Sequence, residues 1–262
     1  MNYFDNESKI LDLLHMSSLF RICFVNFSFP LLRFFLSIYL TKGFASWINN
    51  SANTLAPPDF VCDESKRMLE VMRVDDYKQN GYQPNALESK RYRQIEKDMR
   101  IHGKTLDRLS VIINPAPNEK SENSWKQYLN NFSRIVLNHA GKVNTYRTLH
   151  PGYKLGFLIF DESAAYVETE TRITTIPTQG STTGFARYYH APFDKSFQDI
   201  LLQSNSDFVI WMTPYKKTPD NSWRGLKDVY LIDINKAKRK PMPNIRYDCD
   251  KIICLESNLA ED

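Results

Sequence analysis

Apolar positions recur at helical spacing most clearly in residues 121–139, where Trp125, Leu129, Phe132 and Val136 are separated by four, three and four residues. Gly141 follows at the place where a helix usually stops. A second helical pattern covers 86–101, with Leu87, Ile95 and Met99 on one side. Asp194 is positioned to cap a third helix carrying Phe197, Ile200 and Leu201. Strand patterns alternate with these helices. "LSVIINP" (109–115), "KVNTYRTLH" (142–150), "YKLGFLIFDE" (153–162), "DFVIWMTP" (207–214) and "DVYLIDI" (228–234) are short and β-rich, several of them apolar enough to be buried on both faces. Residues 165–176 alternate as an exposed strand does, and a Gly/Ser/Thr-rich loop (177–184) follows. Intermixed helices and apolar strands predict an α/β fold: a central mixed β-sheet flanked by helices.

The N-terminal region breaks this rhythm. Residues 19–44 hold seven of the sixteen phenylalanines but are interrupted by Arg21, Asn26, Pro30 and Arg33. Their length matches a membrane span of about 20 residues, yet the arginines lie inside the run. The preferred expectation is a buried helical pair broken at Pro30. Contact with a membrane through 19–44, the arginines snorkelling, is the alternative. The polar, proline-ended stretch 49–59 reads as a linker. The predicted organisation is therefore a hydrophobic helical segment (1–48), a linker (49–59) and an α/β domain (60–262).

Composition narrows the class without naming a function. In 262 residues, 42% apolar and 13% aromatic content supply a full core and exclude a disordered chain. The net charge of +4 permits a nucleic-acid partner without requiring one. Cys23, Cys62, Cys249 and Cys254 form no CxxC pair, which points to a reducing, cytoplasmic setting. No phosphate loop, GxGxxG, HExxH or GxSxG motif is present, and no two of the five histidines lie three or four residues apart.

The chemistry-bearing stretch is "PPDFVCDESKRMLEVMR" (57–73). If 68–74 is a strand, Met68, Glu70, Met72 and Val74 share one face. If Asp63 instead caps a helix, Glu70 is a solvated residue; the residues alone leave both open. Pro58-Asp59 followed by Glu70-Val71-Met72 resembles the PD-(D/E)xK nuclease superfamily. The resemblance implies a metal-dependent nuclease in which Asp59 and Glu70 hold Mg²⁺ and activate a water near a nucleic-acid phosphodiester. It also implies that helix 86–101, rich in Lys and Arg, and strand 109–114 complete the core.

This sequence departs from that pattern at Met72, which stands where the superfamily carries lysine. Arg73, Lys66 or a lysine from elsewhere would have to replace it, and Arg73 lies on the opposite face of a strand. The rival expectation is a non-enzymatic binding protein of the same fold. A further carboxylate, Asp161, ends a strongly apolar strand beside Glu162, with Glu168 and Glu170 following; carboxylates so placed project into clefts. Asp207, Asp233 and Lys216, also near strand ends, are expected on the same side. "NKAKRKPMP" (235–243) and "YKK" (215–217) offer cations for phosphate, and Tyr188, Tyr189, Trp211, Tyr215 and Trp223 offer rings for stacking. "LHPGYKLGFLIFDESAAY" and "DFVIWMTPYK" look similar to segments of bacterial proteins, a likeness that implies no activity.

Overall fold

The computed structural model describes residues 10, 22–26, 28–40, 46–51, 58–76, 125–163, 165–169, 186–213 and 229–255. The strands in chain order are β1 (Ile22–Val25), β2 (Ile48–Asn49), β3 (Phe60–Cys62), β4 (Arg67–Val74), β5 (Lys154–Asp161), β6 (Ala165–Thr169), β7 (Ala186–Tyr188), β8 (Phe208–Met212), β9 (Val229–Asp233) and β10 (Ile252–Leu255). The helices are α1 (Phe29–Leu40), α2 (Trp125–Ala140), α3 (Val143–Leu149), α4 (Lys195–Gln203) and α5 (Ile234–Arg239). Seven strands form one mixed sheet in the order β1-β9-β8-β5-β4-β3-β2, and β10-β6-β7 form a small second sheet. The α/β class is thus as the pattern predicts.

Side-chain alternation divides the core into two layers. Met68, Met72 and Val74 of β4 pack with Leu155, Phe157 and Ile159 of β5 under α2, α3 and α4. Leu69, Val71, Leu158 and Phe160 turn to the other face and meet Leu31, Phe34 and Phe35 of α1. Because β4, β5 and β8 run parallel, each step between them needs a crossover; α2 with α3 makes the first and α4 the second. Aromatic contacts tie these helices to the sheet, as where Phe132 stacks on Trp211 with centroids 4.7 Å apart.

Three expectations change. Residues 142–150 are not a strand but α3, with Val143 and Tyr146 buried one turn apart and their neighbours exposed. Their β-branched and aromatic residues favour a strand locally, and burial of Val143 and Tyr146 in the core overrides that preference. The N-terminal segment is not a helical pair: β1 pairs in parallel with β9, and α1 covers the second sheet face. Pro30 stands in the first turn of α1, where its missing N–H costs nothing. The expected linker 49–59 joins two antiparallel strands of the same sheet, and Asn50 N donates to Asp59 O at 2.7 Å.

Among the described residues no helix is long and apolar enough to cross a membrane. The expected helix 86–101, strand 109–115, loop 177–184 and "YKK" 215–217 lie outside the described residues.

Candidate functional site

Residues 67–74 are a strand, which removes the reading of Glu70 as a solvated helix residue. Glu70 is only 2% exposed and sits on the helix-covered face between Met68 and Met72. The antiparallel β3–β4 register, Phe60 opposite Leu69, brings Asp59 opposite Glu70 one step further along. Asp59 lies partly exposed at this end of the ladder, its Oδ2 accepting from Val71 N at 2.6 Å. Asp59 of the Pro-Asp segment and Glu70 of the Glu-x-Met segment are therefore cross-strand neighbours.

Three residues from the α2–α3 corner close over Glu70. His139 Nδ1 lies 2.6 Å from Glu70 Oε1. An ionised carboxylate has no proton to give, so the imidazole donates. Lys142 Nζ donates to the same oxygen at 3.3 Å. The Tyr146 hydroxyl flanks the carboxylate and also feels the charge of Asp59. Burial opposes ionisation of Glu70, but the bonds and charges of His139, Tyr146 and Lys142 outweigh it and hold the carboxyl below its ordinary value. Burial, then the Glu70 charge, pushes the Tyr146 phenol far up, so it stays protonated as a donor.

Met72 is buried in the core at 2% exposure and supplies no cation. Among the described residues the lysine that meets Glu70 is Lys142, which precedes α3. His139, Lys142 and Tyr146 have helical spacings of three and four, although a turn at Gly141–Lys142 divides them between α2 and α3. Reading 142–150 as a strand concealed that spacing.

The other expected site residues lie elsewhere. Arg73 points away from Glu70 and donates from Nε to Glu162 Oε1 at 2.6 Å. Asp161 pairs in register with Val74, while Glu70 pairs with Phe157, a separation of about 13 Å along the strands. Asp161 is fully buried: Oδ2 accepts from Tyr128 OH at 2.5 Å and Trp211 Nε1 at 2.9 Å, and Oδ1 accepts from Ser163 N at 3.0 Å. It is a packing hub distant from the Asp59–Glu70 pair.

Asp207 and Asp233 do meet near the Phe208–Asp233 pairing, but at the end of the sheet opposite Asp161. Asp233 Oδ1 caps α5 by accepting from Lys236 N at 2.9 Å. Glu168 Oε2 accepts from Arg187 Nε at 2.6 Å. Trp211 and Tyr189 are core residues rather than stacking platforms. Glu170 and Lys216 lie outside the described residues.

Among the described residues, the acidic and thiol groups that crowd within 4.8 Å of one another are the exposed Asp248, Cys249 and Asp250. These three line one short 3₁₀ turn, in which Asp248 Oδ1 accepts from Asp250 N at 3.2 Å, so turn formation accounts for their proximity. No family model, curated protein or solved structure matches this chain.

Proposed function

We propose that the chain is a metal-dependent nuclease-like protein acting on nucleic-acid phosphodiesters through Asp59, Glu70 and Lys142. The observation that carries this reading is Lys142 Nζ at 3.3 Å from Glu70, across the strand pair from Asp59. It supplies, from a helix corner, the cation that Met72 withholds from the strand.

The residues fit a hard divalent cation. Asp59 and Glu70 offer carboxylate oxygens, and buried Glu70 Oε2 accepts no hydrogen bond. Mg²⁺ commonly uses one or two carboxylates and keeps several waters, so two protein ligands suffice. When bound, such an ion supplies Lewis acidity and lowers the pKa of a coordinated water. His139 fixes the Glu70 carboxylate and, with Tyr146, keeps it ionised. Lys142, 48% exposed at its side chain, offers charge to an incoming phosphate.

The test is cleavage of plasmid, single-stranded DNA and RNA with Mg²⁺ or Mn²⁺. Asp59→Asn and Glu70→Gln abolish cleavage, and Lys142→Met reduces it about 100-fold, the scale of losing one charge-stabilising group. Cleavage that is absent, or that survives the carboxylate substitutions, removes this assignment. A second reading, a non-catalytic binder of the same fold, draws support from the ion pairs that already satisfy Glu70 Oε1. It predicts nucleic acid bound and never cut.

A further inference from the structure

The edge of the sheet at the N-terminal ends of β4, β5 and β8 gathers cations from several elements. Lys154 N donates to Lys66 O at 3.0 Å, which brings the β3–β4 turn beside the start of β5. Lys154 Nζ lies 3.3 Å from Asp207 Oδ1. Arg147 of α3 reaches Asn205 O at 2.7 Å and Asp207 Oδ2 at 3.4 Å. Lys238 of α5 touches Asn205 Oδ1 at 3.4 Å, and Arg239 and Lys240 follow it, exposed.

Among the described residues the carboxylates at this edge are Asp63, Glu64, Asp207 and Asp233, the last of which caps α5. Asp63 accepts from Tyr153 OH at 2.8 Å. Asp207 is 9% exposed and is also held by Leu155 N and Asn235 Nδ2, each at 2.9 Å. It therefore acts as an inner anchor: it orders Arg147 and Lys154 from below while their side chains stay 43% and 61% exposed. Cations ordered before binding lose less side-chain freedom when they meet a ligand. Helix α3 joins this edge to the Glu70 site, because Lys142 and Arg147 are five residues, about 7.5 Å, apart along its axis.

We propose that Lys66, Arg147, Lys154, Lys238, Arg239 and Lys240 form a surface that tracks the phosphate backbone of a nucleic acid and leads it to Glu70. The proposal rests on the nuclease-like reading of the site but is tested by binding alone. Fluorescence anisotropy with labelled single-stranded and duplex DNA, in EDTA so that nothing is cut, compares the full chain with Lys154→Gln/Lys238→Gln/Arg239→Gln. A second triple variant, Lys238→Gln/Arg239→Gln/Lys240→Gln, lies wholly on or just after α5.

In both variants affinity falls at least tenfold, and the slope of log K against log salt flattens by about 2 to 3, roughly one unit for each phosphate that is no longer neutralised. Melting temperature stays within about 2 °C of the parent, as for exposed substitutions. Unchanged affinity and slope overturn the proposal. So does tighter binding to phosphatidylserine vesicles than to either DNA, which would make the edge a membrane surface. Binding that is lost in the variants, from a protein that cuts no substrate, supports the surface and removes the catalytic reading alone.

Discussion

Glu70 illustrates how a single residue couples stability to pH. Its carboxyl is held below 4.5 in the fold. Its stabilising contribution is therefore complete above that value and is lost as pH falls through the lowered folded one. Replacing it with Gln removes charge-assisted bonds to His139 and Lys142 and costs about 1–3 kcal/mol near neutral pH. Urea denaturation from about pH 7 to pH 3 should show the parent and Glu70→Gln curves converging at the acid end. A constant gap between them means the carboxylate is not ionised in the fold.

At this scale the sequence was informative about type and silent about company. The alternation Met68, Glu70, Met72, Val74 fits one face of a strand, but the residues alone left a helix from Asp63 open, and the sheet pairing decides between them. The alternation said nothing of His139 or Lys142, which lie about 70 residues away and meet Glu70 only because the α2–α3 crossover returns over β4. Asp161 shows the reverse: its position at a strand end suggested a cleft, while Tyr128, Trp211 and Ser163 enclose it.

Between elements, packing of adjacent strands is tight enough to dictate a residue. A Cβ on Gly156 of β5 would overlap the Phe208 ring of β8 and lie 2.8 Å from Leu69 Cδ2 of β4. Gly156→Ala therefore forces the Phe208 ring and the Leu69 side chain to shift within a packed layer and costs about 1–3 kcal/mol. A thermal melt checks this; an unchanged midpoint means the Phe208 ring swings aside without penalty.

Elements with a strong local signature were legible: the four-three-four spacing of α2, and Asp194 at the start of α4, whose Oδ1 accepts from Ser196 N at 2.7 Å. Helix α3 was not, since Val143, Thr145 and Thr148 favour strands and only burial of Val143 with Tyr146 reveals a helix. That local preference hid half of the candidate site.

For the whole molecule, the decisive fact is that the N-terminal segment belongs to the sheet. Its α1 covers Leu69, Val71, Leu158 and Phe160, and its β1 pairs with the strand that contributes Leu231. Phe34 and Phe35, from the phenylalanine-rich run that suggested a membrane, cover this sheet face. Deleting residues 1–48 should expose that face and send the chain to the pellet, as shown by comparing supernatant and pellet fractions with the full chain. A truncated protein that stays in the supernatant with an unchanged melt would mean that α1 is dispensable.

The pairing of β1 with β9 also sets an order of events during synthesis. Residues 22–25 leave the ribosome well before their strand partner, residues 229–233, which is made about 200 residues later. At 5–20 residues per second the wait is roughly 10–40 s. Throughout that interval residues 22–25 lack their strand partner β9, so the growing chain depends on something other than that pairing to keep them from associating. A strand made early is safe here only once a strand made late has reached it.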